Sequence, residues 1–490
     1  MKKQSFVKGA AIMAAASMLC KVLSAVFKIP LDRFFLHEDG IAVFQSASAI
    51  YNVFLAICVT GIPIALSSLI ARADEKEASD FYKSTLYVVT AFCTVGAAVI
   101  FIFSEKIAVL LSGGGDALAS PALKISALAL PFLGVISASR GFFQGKSNMM
   151  PSALSQISES FIKAVLGTVI CALAVAGGIS RGAAGAMMGV SLGAVSAAVI
   201  LYIFYRKNNK EKGVFKKEAA LKVLKLSLPV TLGAFGYTAA VLVDTLSVTS
   251  LLASIGVGTT ERLSLFGYLS RSNTVYNLPA TIITAVTMSA VPLVSLAVKN
   301  GTGLKESVQK SVKMIFLVAS PCAFGLMFFA KWILLFLYSS SAQYSLLAIT
   351  GVMVLIIPCV QSMSAMLQAT NKVWSPIAST GIAVVLKTLI NFILIPKMGI
   401  IGAPISTVAA FFVALVINTF LFRKELVRKE FIFTVVKILL CAFISCGAAK
   451  LVFSIRESYL MLVASIGIAA VVYALLSLAL GLITKEDIKR

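Results

Sequence analysis

Two lysines, Lys21 and Lys28, lie seven residues apart inside the first long apolar stretch of the chain. Seven residues make about two helical turns, so both ammonium groups share one helix face, about 10 Å apart along the axis. A charge at the bilayer centre costs roughly 2.5–3.5 kcal/mol, so it must face a bundle interior, a wet cavity or a bound anion. The pair therefore predicts an anion site for phosphate or diphosphate. Lys28 has the alternative of extending to the interface beside Asp32 and Arg33.

A later apolar stretch carries an arginine, Arg271, within the unusually polar run Tyr268–Pro279. Arginine stays charged at membrane depth, and its planar guanidinium can form two parallel hydrogen bonds to phosphate oxygens. The alternative is an internal ion pair with Asp244, and both arrangements are compatible if Asp244 orients or releases Arg271. We expect Arg271 to act as a substrate-binding cation and Asp244 as an acid that modulates it.

Two more lysines lie in apolar stretches, Lys163 and Lys387. Glu159 and Lys163 are four residues apart on one helical face, which favours a local ion pair that could still line a cavity. Lys387 has no acid four positions away, so its partner is a distant residue or a ligand. The sequence therefore predicts a cationic cavity that includes both lysines, with Glu159 as a second modulating acid.

The stretch Arg140-Gly-Phe-Phe-Gln144-Gly145 ends another apolar segment on the predicted cytoplasmic side. Two glycines suit a tight turn or a close approach of backbones. Arg140 and Gln144 are candidates for contacting substrate phosphate at the cytoplasmic mouth of the cavity. The alternative for Arg140 is an ordinary interfacial anchor.

Composition identifies the class of protein. The 490-residue chain is 59% hydrophobic and 13% charged, whereas a soluble domain carries about 25% charged residues. The net charge of +23 reflects the positive-inside bias of membrane loops rather than nucleic-acid binding, because basic residues concentrate in every second loop. Neither the eight cysteines nor the single histidine has metal-ligand spacing, so we expect no metal and no cofactor.

Apolar runs predict an all-α polytopic membrane protein with about fourteen transmembrane helices. The basic loops place both termini in the cytoplasm. We expect the protein to lie in a bacterial cell membrane. The predicted spans are 6–31, 41–70, 84–111, 121–143, 152–177, 183–205, 222–253, 263–298, 309–337, 344–369, 375–396, 400–422, 431–454 and 458–483.

An internal repeat suggests how these spans are organised. Gln144 and Lys163 are 19 residues apart, and so are Gln368 and Lys387. Because each repeat has six spans, an even number, both halves have the same orientation in the membrane. We expect a pseudo-two-fold axis along the membrane normal to relate them, with the substrate site between the two halves. We therefore predict a six-helix lobe at 1–206, a basic cytoplasmic linker at 207–221, a second six-helix lobe at 222–424, and two further helices with a cytoplasmic tail at 425–490. The basic loop around the linker is either a solvated connector or a contact for anionic lipid headgroups.

Several stretches resemble the multidrug/oligosaccharidyl-lipid/polysaccharide exporter superfamily, and within it the stage V sporulation protein B and YtgP-type branch, related to MurJ lipid II flippases. The resemblance covers nearly the whole chain. The stretches that carry it are Lys21–Leu31, Thr60–Ser67, Arg140–Gln156 with Glu159 and Lys163, Phe266–Arg271, Asn277–Pro279 and Val291–Pro292.

This resemblance implies two six-helix lobes around a cationic cavity, and outward flipping of a polyprenyl-diphosphate-linked sugar for peptidoglycan or other polysaccharide synthesis. The essential cations of the MurJ branch map onto Lys21, and approximately onto Lys28 and Arg271. An arginine in helix two of that branch has no counterpart here, where Tyr51–Phe54 is uncharged. Membrane lipids and cell-wall synthesis machinery are the other implied partners, in roles that include cell shape or sporulation.

Three rival functions compete with this interpretation. A MATE-like multidrug or organic-cation antiporter would favour membrane acids, yet the spans carry more lysine and arginine than Asp244 and Glu159 can offset. An integral-membrane enzyme such as a lipid-linked glycosyltransferase would need paired carboxylates or a metal cluster in a loop. A non-transporting scaffold is the third. The chain contains no GxxxxGK[ST] loop, so we expect no nucleotide hydrolysis.

Overall fold

The computed structural model describes residues 6–209, 211, 213–288, 291–300, 302–370, 372, 374–426 and 429–482. This part of the chain is helical and contains no strand, which confirms the predicted all-α class. Lys210 and Lys212 of the predicted linker and residues 483–490 of the predicted tail lie outside the described residues. The helices are α1 Phe6–Pro30, α2 His37–Ala56, α3 Ile62–Ile70, α4 Glu75–Leu111, α5 Ser120–Gly145, α6 Met150–Ala174, α7 Ile179–Asn208, α8 Lys217–Ser254, α9 Thr259–Met288, α10 Val291–Asn300, α11 Leu304–Tyr338, α12 Tyr344–Ala369, α13 Trp374–Met398, α14 Gly402–Leu421, α15 Arg423–Leu426, α16 Lys429–Phe453 and α17 Tyr459–Ala479.

Eleven helical stretches of the described chain are long and apolar enough to cross a membrane. Ala15–Ile70 and Trp374–Leu421 each include two of the predicted spans, because short π-helical or 3₁₀ segments join their helices without a loop. Helix α9 does not qualify, since the polar run around Arg271 lowers its hydropathy. The eleven stretches therefore cover thirteen of the predicted spans, and α9 is the fourteenth.

The chain forms two compact units. The first comprises Met1–Ser270 with Thr388–Ile400, and the second comprises Arg271–Lys387 with Ile401–Arg490. In the first unit α6 packs on α1 and α7, α5 packs on α4 and α7, and α8 packs along α2, α3 and α4. In the second unit α11 packs on α12, α16 and α17, and α12 packs on α14. The division into six-helix lobes at 1–206 and 222–424 stays a prediction.

Small residues permit the closest helix contacts in the first unit. A Cβ on Gly189 of α7 would lie 2.1 Å from Cα of Gly167 on α6. With any larger residue at position 189, the two helix backbones could not come as close as they do. A Cβ on Gly61, in the π-helical segment before α3, would lie 2.0 Å from Oγ1 of Thr231 on α8. Such contacts are typical of membrane helices, whose association depends on close packing.

The second half of the basic linker is held on the first turns of α4 by Asp80. The Asp80 carboxylate accepts a hydrogen bond from the backbone N–H of Val214 at 2.7 Å and pairs with Nζ of Lys216 at 2.6 Å. The backbone N–H of Lys216 also donates to Oγ of Ser84 at 2.8 Å. Asp80 raises the pKa of the Lys216 ammonium. Lys216 in turn lowers the pKa of the Asp80 carboxyl. The ion pair therefore contributes fully between pH 3.8 and pH 10.5, and is lost as the pH falls through the lowered pKa of Asp80 or rises through the raised pKa of Lys216.

Replacing Asp80 by asparagine should release this linker. The amide cannot pair with the Lys216 ammonium and accepts a weaker hydrogen bond from Val214. We expect faster tryptic cleavage after Lys216 and Lys217 in the intact, detergent-solubilised protein, followed by mass spectrometry of the fragments. Glu75→Gln is the matched control, because Glu75 is an exposed acid in the first turn of α4 and pairs with no described residue of the linker. Equal cleavage rates in the two variants would contradict a retaining role for Asp80.

Candidate anion-binding site

Three lysines come together on α1 and α6 in the first unit. Lys21, Ser24 and Lys28 follow at intervals of three and four residues, so they line one face of α1. Nζ of Lys163 on α6 donates to Oγ of Ser24 at 3.1 Å, which draws the third ammonium to that face. Lys163 also lies 5.9 Å from the centre of the Phe27 ring, within range of a cation–π contact. The sequence predicted all three lysines, and this geometry brings them together.

The three charges act directly on one another. Lys28 is repelled by both Lys163 and Lys21, and is attracted by Asp32. Lys163 is repelled by Lys21 and attracted by Glu159. We call Lys21, Lys28 and Lys163 the lysine cluster. Ammonium groups held this close in a membrane protein repel one another, and an anion between them would relieve that repulsion.

The members of the lysine cluster differ in how far their hydrogen bonds are already made. Nζ of Lys28 donates to Oε1 of Gln45 on α2 at 3.2 Å and is partly buried. Lys21 has an exposed side chain and forms no hydrogen bond or ion pair with a described residue. An ammonium carries three donors, so Lys21 has the most capacity to bind a ligand.

The predicted ion pair between Glu159 and Lys163 is wrong. Glu159 instead accepts a hydrogen bond from Nη2 of Arg140 on α5 at 2.8 Å. Nε of Arg140 donates to Oγ of Ser155 at 3.0 Å, and the arginine side chain is only 6% exposed. A guanidinium offers a fork of donors that an ammonium lacks, which explains why Glu159 pairs with arginine on the neighbouring helix. Arg140 is therefore a buried cation that is paired with Glu159.

Gln144 lies one turn after Arg140, at the last turn of α5, and is partly buried. Its backbone carbonyl accepts hydrogen bonds from the N–H groups of Lys146 and Ser147 at the end of the helix. Its side chain therefore stands beside the turn to α6. A role at the cytoplasmic mouth stays a prediction for Gln144 and Arg140.

The second predicted modulating acid, Asp244, lies on α8 and is 7% exposed. Its Oδ1 accepts a hydrogen bond from Nδ2 of Asn391 at 3.2 Å, and the same amide donates to Oγ of Ser247 at 3.1 Å. Asp244 is thus one acceptor in a buried polar group inside the first unit. Its action on Arg271 stays a prediction.

Arg271 and Lys387 belong to the second unit, and both are buried, at 4% and 1% exposure. The guanidinium of Arg271 lies 5.3 Å from the centre of the Tyr338 ring on α11. Nζ of Lys387 donates to the hydroxyl of Thr407 on α14. Both cations are buried within predicted spans. That they share one site with the lysine cluster stays a prediction.

Sequence reasoning missed the neutral partners of these charged residues. Ser24, Gln45, Thr407 and Asn391 all lie in apolar spans and each bonds a candidate site residue. The sequence feature that could have identified them is an amide or hydroxyl side chain inside an otherwise apolar membrane span. In the described part of the chain no group of three or more histidine, cysteine, aspartate or glutamate side chains could hold a metal ion.

Residues 6–298 match the family described as polysaccharide biosynthesis protein. The chain belongs to this family. It is 26% identical to stage V sporulation protein B of Bacillus subtilis (strain 168), over 100% of this chain and 98% of that protein. It is 20% identical to the lipid II flippase MurJ of the same organism, over 85% of this chain and 82% of that one. The family match and these two similarities agree with the resemblance that the sequence motifs indicated.

Two solved transporter structures share this fold. A lipid II flippase MurJ in an inward closed conformation matches with a TM-score of 0.77 and 17% identity, over 98% of this chain and 100% of that one. An inward-facing multidrug resistance MATE family transporter matches with a TM-score of 0.67 over 86% of this chain. The protein is therefore a multi-pass membrane protein with the fold of these transporters.

Proposed function

We propose that this protein flips a polyprenyl-diphosphate-linked oligosaccharide from the cytoplasmic to the outer leaflet by alternating access. The observation that carries the proposal is the lysine cluster inside the membrane helices of a polysaccharide biosynthesis family member. Its relatives named stage V sporulation protein B and lipid II flippase MurJ support the substrate class. A wall or spore polymer precursor is the expected cargo, and cell-wall synthases are the expected partners.

The difficult step in flipping is moving a charged headgroup through hydrocarbon. Transfer of an ion without a partner is too costly to occur, so the protein must replace the lost water with fixed charges. The ammonium of Lys21 would bind the diphosphate first, with Lys28 and Lys163 completing a charge-assisted set of donors. The apolar tail can stay in the bilayer throughout.

The remaining predicted residues take supporting roles in this proposal. Arg271 and Lys387 would also bind the headgroup, and Asp244 would modulate Arg271. Arg140 would hold Glu159 away from Lys163, so that the acid does not neutralise the cluster. This role for Arg140 replaces a purely local pairing of Glu159 along α6.

Orientation follows from the basic loops. With both termini in the cytoplasm, the linker before α8 faces the cytoplasm, and its exposed basic residues include Lys207, Lys216 and Lys217. Outward movement of an anion then runs with an inside-negative potential, worth roughly 2.3 kcal/mol per charge per 100 mV. Nucleotide hydrolysis is unnecessary for such a step.

A MATE-like antiporter of organic cations is the alternative, supported by the similarity of fold. The lysine cluster argues against it, because three ammonium groups would repel a cationic drug. Ethidium efflux from expressing cells discriminates between the two functions. Efflux that depends on this protein would favour the antiporter.

Mass spectrometry of lipids that co-purify with the protein tests the proposed substrate class. We expect polyprenyl-diphosphate sugars enriched over the bulk membrane, and a Lys21→Gln variant that retains less of them. Lys124→Gln is the control, because Lys124 lies outside the lysine cluster in a surface ion pair with Glu105. Equal lipid profiles for wild type and Lys21→Gln would contradict the proposal.

A further inference from the structure

Two amide side chains on α2, Gln45 and Asn52, have no ligand-binding role in the proposed mechanism. They are seven residues apart, about two helical turns, so they share one face of α2. Oε1 of Gln45 accepts a hydrogen bond from Nζ of Lys28 at 3.2 Å, so this face of α2 turns toward α1 and the lysine cluster. We call Gln45 and Asn52 the amide pair.

The chain folds back between α1 and α2, which brings the two polar faces opposite one another. A straight helix would hold residues 28 and 45 about 25 Å apart, at 1.5 Å per residue. Instead the side chains of Lys28 and Gln45 touch, and the ring centres of Phe27 and Phe44 lie 5.8 Å apart. The corner between the helices is the π-helical segment Leu31–Leu36.

Away from this corner the two helices diverge. Phe27 and Phe44 near the corner are buried, whereas Lys21 on α1 and Asn52 on α2, each about two turns further along, are exposed. The helices also pack on different partners, α1 on α6, and α2 on α5, α7 and α8. Lys21 and Asn52 therefore stand on the two sides of an opening between α1 and α2.

The amide pair has most of its hydrogen-bonding groups unused. The oxygen of Gln45 is occupied by Lys28, but its NH₂ group has no partner among the described residues. Asn52 forms no hydrogen bond with any described residue. An amide side chain offers two donors and an acceptor, and placing these groups in hydrocarbon without partners is costly. The amide pair therefore requires a polar partner in the opening.

The two sides of the opening suit different parts of one ligand. The ammonium groups on α1 suit the charged oxygens of a diphosphate. The amide pair is neutral and suits hydroxyl and acetamido groups, which both donate and accept hydrogen bonds. We infer that the amide pair binds the sugar attached to the diphosphate, an inference that rests on the proposed function. The lysine cluster then holds the charge of the headgroup, and α2 discriminates a sugar-bearing lipid from a bare one.

Binding of two labelled lipids to the full-length protein in nanodiscs of zwitterionic lipid tests this inference. One is polyprenyl diphosphate, and the other is the same lipid bearing a single N-acetylhexosamine. The wild type should bind the sugar-bearing lipid about threefold to tenfold more tightly, the effect of one or two neutral hydrogen bonds. Asn52→Leu should remove most of this ratio and leave the affinity for bare polyprenyl diphosphate unchanged.

The control variant is Asn300→Leu, because Asn300 is an exposed amide at the end of α10 and should leave both affinities unchanged. Should Asn52→Leu fail to fold, the smaller Asn52→Ala carries the same test. Equal affinity of the wild type for the two lipids would overturn the inference. So would a folded Asn52 variant with the wild-type ratio, or one that weakens both lipids by the same factor.

Lys21→Gln separates this inference from the proposed function. It should weaken binding of both lipids by a similar factor and preserve their ratio, because the ammonium binds the diphosphate that they share. Wild-type affinity of Lys21→Gln for both lipids counts against the lysine cluster and hence against the proposed function. A lost ratio in Asn52→Leu, with Lys21→Gln weakened as expected, supports both.

Discussion

Replacing Lys21 and Lys163 together by glutamine should slow lipid flipping at least about 100-fold. Hydrogen bonds to a charged group contribute about 1.5–3 kcal/mol each, so two of them account for this factor or more. Glutamine keeps the length and polarity of the side chains but removes both charges. The measurement is the initial rate of flipping of a fluorescent polyprenyl-diphosphate lipid in proteoliposomes that contain equal amounts of folded protein.

Two control variants show whether charge inside the lysine cluster is what matters. Lys21→Arg with Lys163→Arg keeps both charges and should retain most of the rate. Lys124→Gln removes a lysine of a surface ion pair whose contribution is small, and should leave the rate unchanged. A double glutamine variant that flips as fast as Lys124→Gln would remove the lysine cluster from the mechanism.

Replacing Glu159 by glutamine should destabilise the protein by about 3–5 kcal/mol, the cost of leaving a buried charge without its partner. Arg140 has a side chain only 6% exposed, and without Glu159 its side chain keeps a hydrogen bond only to the neutral hydroxyl of Ser155. Thermal unfolding of the detergent-solubilised protein, followed by helical circular dichroism, provides the measurement.

The matched control for this prediction is Glu105→Gln. Glu105 also pairs with a basic residue, Lys124, at 3.5 Å, but both side chains are exposed. A surface pair contributes about 0–1 kcal/mol, so its melting temperature should change little. If the two glutamine variants unfold at the same temperature, the Arg140–Glu159 pair does not stabilise the packing of α5 on α6.

The helical class and the cations were predictable because both depend on composition and local spacing. Lysine inside an apolar run is costly wherever the helix packs, so Lys21 and Lys163 stood out without knowledge of the fold. The close positions of Lys21 and Lys28 on α1 follow from helical periodicity alone. The partner of Glu159 did not follow, because Arg140 approaches it from another helix.

Long-range anchoring was also beyond the sequence. The sequence leaves the basic linker as either a solvated connector or a contact for anionic lipid headgroups, and its basic side chains Lys216 and Lys217 are exposed. Its backbone is nevertheless tied to Asp80, which precedes Val214 by 134 residues. Nothing local to the linker distinguishes an anchored segment from a floating one.

Flipping by the purified wild-type protein in liposomes without nucleotide tests the central claim most directly. The account predicts that labelled polyprenyl-diphosphate sugar reaches the opposite leaflet faster than in protein-free liposomes. An inside-negative potential should speed outward movement, and the double glutamine variant of Lys21 and Lys163 should abolish the difference. Wild-type protein that moves the lipid no faster than empty liposomes would contradict the account.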